Sequence, residues 1–89
     1  MNWRIDFSKD ALKFLKQNNL KEDFIIDKIR FALRKFKGED VNIDIKKLHG
    51  EWERFYRIRS GRLRIITEFQ FEIYRAYIDT IDWRGNAYK

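Results

Sequence analysis

The chain has 89 residues, of which 44% are hydrophobic and 38% are charged, and its formal net charge is +6. This length predicts a single domain over residues 1–89 with one core. Because the chain contains no cysteine, disulfides and thiolate metal sites are excluded, and its one histidine leaves no zinc pattern, so we expect neither a metal nor another cofactor. The basic balance favours association with nucleic acid or another acidic partner.

The sequence gives no sign of a membrane segment. No run approaches the ~20 apolar residues of a membrane span, and the N-terminal residues lack the apolar core of a signal peptide. We therefore expect a soluble protein of the cytoplasm with no membrane partner.

The first half of the chain is predicted to form one strand and two helices. Residues 2–7 alternate between apolar and polar side chains, which is typical of a half-buried strand. Ser8 suits the N-cap of a first helix over Lys9–Gln17. Asn19 and Glu22 have capping-box spacing, so we expect a second helix to start there. Apolar residues recur at helical spacing in both segments, which predicts an antiparallel helical hairpin packed on a sheet.

A polar segment follows the second helix. Gly38 suits the C-cap of that helix, and residues 39–44 are predicted to be a surface loop. Three apolar residues in this region alternate and would attach the loop to the protein: Val41, Ile43 and Ile45.

Residues 52–69 contain two alternating runs joined at Ser60 and Gly61, which predicts a β-hairpin. If the turn is Ser60-Gly61, Arg57 faces Arg64 and Arg59 faces Arg62; a turn at Gly61-Arg62 changes these partners. Either turn leaves three arginines on one face, namely Arg57, Arg59 and Arg64. The opposite face, carrying Tyr56, Ile58, Leu63 and Ile65, is predicted to be the core side.

The arginine face of the hairpin is the strongest functional signal. Like charges directly opposite each other destabilise a sheet, so the cluster is hard to explain by stability and indicates a polyanionic ligand. The alternative is a charged face that is simply solvated, with arginine stems covering apolar surface.

A last strand is predicted over residues 73–81, and the tail over residues 82–89 is expected to leave the sheet. The predicted fold class is therefore α+β, with an N-terminal strand, an antiparallel helical hairpin and then three strands in a mainly antiparallel, twisted sheet. The helices cover one face of this sheet and leave the arginine face open.

Three segments together resemble the RelE/ParE superfamily of toxins from toxin–antitoxin systems, and the ending is especially similar to archaeal-type RelE toxins. The segments are Lys47-Leu48-x-Gly50, Phe55-Tyr56-Arg57-Ile58-Arg59-x-Gly61-x-x-Arg64-Ile65-Ile66 and Arg84-Gly85-x-x-Tyr88. The resemblance covers the whole chain, because the opening strand and helical hairpin also fit the family.

The resemblance implies a ribosome-dependent mRNA endoribonuclease that needs no metal and is held inactive by a cognate antitoxin. In that chemistry the ribose 2′-hydroxyl attacks the adjacent phosphate and leaves a 2′,3′-cyclic phosphate and a free 5′-hydroxyl. The implied partners are the antitoxin, the ribosome and mRNA. A complex of toxin and antitoxin would bind operator DNA through the antitoxin.

The resemblance also implies roles for individual residues. Arg57 and Arg59 would line the scissile phosphate, and Arg64 would stabilise the extra negative charge of the transition state. Arg84 would neutralise the phosphate or the leaving group, and Tyr88 would stack on a base or orient the attacking group. Further RNA contacts are expected from Lys46, Lys47, Arg54, Arg62 and Trp83.

Two positions depart from the family pattern. Well-studied bacterial RelE toxins carry lysines in place of Arg57 and Arg59, and arginine cannot act as a general base because it does not lose its proton. The proton acceptor is therefore open between His49, Glu53, Tyr88 and the ribosomal RNA. Some members carry a histidine in place of Trp83. In this chain, Trp83 would either stack on a base or pack against the sheet.

Two other functions are compatible with the same sequence. One is a ParE-like toxin that inhibits DNA gyrase by binding it and cleaves nothing, since fold alone does not separate the two activities. The other is a non-catalytic nucleic-acid-binding module, for which the net charge suffices. The arginine cluster together with Tyr88 favours the nuclease, because gyrase-directed members generally lack that set, whereas the lack of an obvious base counts against it.

Overall fold

The computed structural model describes residues 2–83, which form two helices and a five-stranded sheet. The helices are α1 (Lys9–Gln17) and α2 (Glu22–Phe36), and the strands are β1 (Arg4–Phe7), β2 (Asp44–Lys47), β3 (Phe55–Ser60), β4 (Leu63–Gln70) and β5 (Arg75–Trp83). The spatial order is β1-β5-β4-β3-β2, with β1 parallel to β5 and every other neighbour antiparallel. The predicted α+β class and helical layer are confirmed.

The predicted number of strands is wrong by one, because β2 was missed. Residues 44–47 pair with β3 as an edge strand, in which Ile45 packs against the core and its neighbours face solvent. So few apolar residues give a weak strand pattern, and the pairing with β3 supplies the backbone hydrogen bonds that stabilise the segment. The alternation of Ile43 and Ile45 was the feature of the sequence that could have indicated β2.

Ser8 caps α1 as predicted and also connects the helix to the sheet. Its Oγ accepts a hydrogen bond from the Ala11 N–H at 3.0 Å and donates one to the Asp79 carbonyl at 2.7 Å. One short side chain thus satisfies a free N–H at the helix start and fixes the direction in which α1 leaves β1.

The predicted capping box of α2 is wrong. The N-cap is Lys21, which makes no side-chain capping bond. Asn19 instead adopts φ 54°, in the left-handed region that asparagine tolerates, and Leu20 N donates to the Leu15 carbonyl at 2.9 Å. Asn19 therefore terminates α1. The predicted end of α2 is closer to the structure, since the C-cap is Lys37 and Gly38 directly follows it.

The core lies between the helices and one face of the sheet, which we call the helix face. The buried residues of this core include Ala11, Leu15, Ile25, Ile29 and Ala32 from the helices, and Ile58, Leu63, Ile65, Phe69, Ala76, Ile78 and Ile81 from the strands. Each large apolar side chain buried in this way contributes roughly 1.5–3 kcal/mol relative to its exposed state. The opposite sheet surface, the open face, faces away from the helices.

A β-bulge in β5 decides which residues reach the open face near the end of that strand. Thr67 pairs with Ile78 and Ile66 pairs with Thr80, so Asp79 is an extra residue without a cross-strand partner. The extra residue shifts the alternation by one, and Thr80 and Asp82 consequently lie on the open face.

Within residues 2–83, neither helix has the length and apolar character needed to cross a membrane.

A charged network on the open face holds edge strand β1 against β5. Asp6 accepts a hydrogen bond from Arg75 Nε at 2.7 Å and forms an ion pair with Arg4 Nε at 2.9 Å. The bond from Arg75, with a further contribution from Arg4, holds the pKa of the Asp6 carboxyl below its ordinary value despite the opposing effect of burial.

We expect Asp6→Asn to lower the free energy of unfolding by about 1–2 kcal/mol at pH 7, because hydrogen bonds to a charged group are lost. A folded-state pKa below the unfolded value means that the stabilisation is complete above the unfolded pKa and disappears as the pH falls through the folded one. Urea unfolding of both proteins should therefore show a constant difference at neutral pH that shrinks in strong acid.

Glu39→Gln is the matched control, since Glu39 forms a 2.9 Å ion pair with Arg34 on an exposed surface. It should cost about 0–1 kcal/mol. A difference between parent and Asp6→Asn that grows as the pH falls would contradict this interpretation.

Candidate anion-binding site

The register of the β3–β4 hairpin places its arginines together. Ser60 pairs with Leu63, so the turn is Gly61-Arg62, the second of the two predicted alternatives. Gly61 has φ 60°, which glycine adopts without strain at the first central position of a tight hairpin turn. Arg59 consequently lies directly opposite Arg64.

The arginine pair is the centre of a row of four charged residues that crosses the open face. Asp44 on β2 pairs with Arg59, and Asp82 on β5 pairs with Arg64. We call Asp44, Arg59, Arg64 and Asp82 the charged row. A carboxylate next to each arginine relieves the repulsion between the two guanidinium groups.

The two carboxylates change the interpretation of the hairpin. From the sequence, the arginines looked like a positive cluster without compensation, whereas the folded sheet gives each arginine an acidic neighbour. Asp44 was missed because β2 was missed. Asp82 was missed because alternation counted from Ile78 places it on the helix face, and only the bulge at Asp79 turns it to the open face.

Arg57 differs from the arginines of the row because it is buried, with 6% of its surface exposed. Its Nη2 lies 3.3 Å from Asp44 Oδ1, and its cross-strand partner on β4 is the buried Ile66. Within residues 2–83, the Nε atoms of both Arg57 and Arg59 are buried and have no hydrogen-bond acceptor. Arg59 is only partly buried, so of the two arginines it is the one whose guanidinium is suited to an anion from solution.

Of the bases predicted from the sequence, His49 and Glu53 lie within the described residues, and neither belongs to the charged row. His49 is exposed and immediately precedes a short 3₁₀ turn, Gly50–Trp52. Glu53 lines a pocket with Tyr56 and Phe69, whose side chains belong to the helix face, so this pocket and the charged row are on opposite sides of the sheet.

The predicted RNA-contacting residues are dispersed. Lys46 lies on the open face directly opposite Arg57 and is exposed. Lys47 and Arg54 line the same helix-side pocket as Glu53. Arg62 is exposed in the hairpin turn. Of these residues, Lys46 is the one that the strand pairing places beside the arginine cluster.

Trp83 lies on the helix side of β5. Its ring meets the ring of Phe14 in α1 edge-on, with centroids 5.5 Å apart, yet 43% of its surface remains exposed. It therefore packs against the helical layer. Arg84 and Tyr88 lie outside the described residues.

The site predicts a measurable affinity for inorganic phosphate. An anion that binds the folded state stabilises it, by about 1.4 kcal/mol when its concentration is ten times its dissociation constant. We expect phosphate to raise the melting temperature of the parent more than chloride of equal ionic strength does. Arg59→Gln should abolish most of that difference.

The matched control is Arg30→Gln, which removes an exposed arginine of α2. It should respond to phosphate as the parent does. If phosphate stabilises Arg59→Gln and the parent equally, the arginines of the row do not form the anion site.

Comparison with known proteins finds similarity at the level of structure. No family model and no curated protein matches the chain. A chain of the archaeal RelE–RelB complex from Pyrococcus horikoshii is 24% identical with a TM-score of 0.66, and the match covers 98% of this chain and 100% of that one.

Two further complexes give similar matches. The RelB–RelE antitoxin–toxin complex from Methanococcus jannaschii contains a chain 22% identical with a TM-score of 0.57, with 89% of each chain covered. The RelBE2 toxin–antitoxin complex from Mycobacterium tuberculosis contains one 20% identical with a TM-score of 0.59, covering 94% of this chain and all of that one. The chain therefore has the fold of the RelE toxins of toxin–antitoxin systems.

Proposed function

We propose that the chain is the toxin of a toxin–antitoxin system and that it cleaves mRNA on the ribosome without a metal. The observation that carries the proposal is the pairing of Arg59 with Arg64 on the open face of a RelE-like fold. Within residues 2–83, both α-helices pack on the opposite face of the sheet, so an extended polyanion can reach this one.

In the proposed reaction the RNA supplies its own nucleophile, so the main task of the protein is to stabilise negative charge. As the 2′-oxygen attacks the phosphorus atom, charge accumulates on the phosphate oxygens. A guanidinium group offers a rigid fork of N–H donors that matches two such oxygens. Arg59 and Arg64 lie opposite each other on adjacent strands, which supports the proposal that they hold the phosphate together. Preorganised donors of this kind give the largest single contribution to the rate enhancement of many enzymes.

The remaining roles follow from the family resemblance. Arg84 is proposed to neutralise the leaving group, and Tyr88 to stack on a base or orient the attacking ribose. Lys46, the exposed cation beside the arginine cluster, is proposed to contact the RNA backbone. The ribosome would supply the mRNA in a fixed conformation.

We expect Arg64→Ala to lower the rate of mRNA cleavage by about 10²–10³-fold, the usual loss for one donor to a transition state. Purified ribosomes carrying a defined mRNA, incubated with each protein and analysed by primer extension, give the rate. Arg64→Lys keeps the charge without the fork and should fall between parent and alanine variant.

Arg30→Ala, which removes an exposed arginine of α2, is the control and should cleave like the parent. The melting temperature of Arg64→Ala must stay near that of the parent for the loss to be assigned to chemistry. If the parent arrests growth and inhibits gyrase but leaves mRNA intact, the ParE-like alternative replaces this proposal.

A cognate antitoxin is the second part of the proposal. The three similar structures described above are all complexes of a toxin with an antitoxin. The partner of this chain should be a small protein with acidic residues that meet the basic surface and an apolar face that packs on the toxin. The complex is proposed to bind operator DNA through the antitoxin.

Co-expression of the chain with the product of the adjacent gene tests this partner. We expect a complex that survives moderate salt on gel filtration and in which mRNA cleavage is suppressed. If the two proteins elute separately and growth is not rescued, the toxin–antitoxin assignment is contradicted.

A further inference from the structure

The proposed cleavage needs a group that takes the proton of the attacking 2′-hydroxyl, and the arginines cannot supply one. The described part of the open face carries several carboxylates that are candidates. Their hydrogen bonds and their positions relative to the arginines decide which of them is suited to act as the base.

Three of these carboxylates are unsuitable. Asp6 is engaged by Arg75 and Arg4 at the β1 edge of the sheet, and one oxygen of Asp82 accepts the Trp83 N–H at 2.7 Å. Glu68 pairs with Phe55 of β3, so it lies four residues along the strand from Arg64.

Asp44 shares a place in the charged row with Asp82, but its contact with a buried arginine distinguishes it. It lies directly opposite Arg59 in the charged row, and its Oδ1 is 3.3 Å from Nη2 of Arg57. Its side chain is 56% exposed, whereas that of Arg57 is 7% exposed. A buried, rigid cation thus holds a carboxylate that is itself accessible, beside an arginine that is suited to bind the phosphate.

From this geometry we infer that Asp44 is the proton acceptor of the proposed cleavage and that Arg57 is the residue that positions it. The inference rests on the proposed function. It also gives Arg57 a different role from the arginines of the row, since burial and the contact with Asp44 leave it little access to RNA.

The chemical step balances without any further reagent. An Asp44 carboxylate oxygen takes the 2′-hydroxyl proton while the 2′-oxygen forms a bond to phosphorus. The P–O5′ bond breaks, its electron pair stays on the 5′-oxygen, and that oxygen takes a proton from water. The protonated Asp44 returns its proton to the resulting hydroxide.

Asp44→Asn is the direct test, because asparagine keeps the size of the side chain but does not act as a base. Loss of a general base typically lowers the rate by about 10²–10⁴-fold. Single-turnover cleavage at saturating toxin on mRNA-programmed ribosomes should show such a loss. The toxin concentration for half-maximal rate should stay the same or fall, because a negative charge has been removed beside the RNA backbone.

The matched control is Asp27→Asn. Asp27 is similarly exposed, at 65% against 56% for Asp44, and also forms an ion pair, at 3.5 Å. Its partner Arg30 is exposed, whereas Arg57 is buried, and Asp27 lies on α2 away from the open face. It should cleave at the parent rate. Asp44→Glu keeps the charge but moves the carboxylate by one methylene, so it should melt near the parent and cleave at a rate between those of the parent and Asp44→Asn.

The outcomes separate the inference from the proposed function. If the parent cleaves and Asp44→Asn cleaves equally fast, Asp44 is not the base although the nuclease proposal stands. If Asp44→Asn binds more tightly and cleaves faster, the carboxylate only competes with phosphate, and the inference is again wrong. If the parent cleaves nothing, both fail. Should Asp44→Asn be unfolded by circular dichroism, Asp44→Ser, which also lacks a base, is measured instead, and a parent rate for that variant overturns the inference.

Discussion

The burial of Ile58 and Ile65 against the helices is the constraint on which the rest of the structure depends. Both side chains are fully buried and directly opposite each other, so the β3–β4 pair cannot slip by one residue without exposing them. The same register places Arg59 opposite Arg64 on the other face. The apolar core therefore sets the geometry of the charged site from the opposite face of the sheet.

Much of the fold could be predicted from local patterns. Ser8, the bounds of α1, the hairpin and its core-facing residues follow from capping preference and alternation. The errors occur where a local pattern has two solutions: Asn19 terminates one helix instead of starting the next, and β2 was missed because so short an edge strand has little apolar content. The first error is a choice between two local capping roles, and the second concerns a segment that pairing with β3 stabilises.

The site was predicted less completely than the fold, for a physical reason. Three arginines on one face follow from alternation within a single hairpin. Their acidic neighbours come from two other strands, Asp44 on β2 and Asp82 beyond the bulge at Asp79, and no pattern within the hairpin reveals them. These carboxylates flank the arginine pair, so the charged row has a negative charge at each end and two positive charges between them. An anion that binds there must engage Arg59 and Arg64 while avoiding the carboxylates on either side, which favours a single phosphate held in one orientation over diffuse attraction to any polyanion.

The chemistry of the RNA ends tests the central claim most directly. Purified chain is incubated with mRNA-programmed ribosomes in the presence of a chelator, and the fragments are analysed by enzymatic end-labelling and mass spectrometry. Attack by the 2′-hydroxyl predicts upstream fragments that end in a 2′,3′-cyclic phosphate and downstream fragments that begin with a 5′-hydroxyl. Intact mRNA, or fragments carrying a 3′-hydroxyl and a 5′-phosphate, would contradict the proposed reaction.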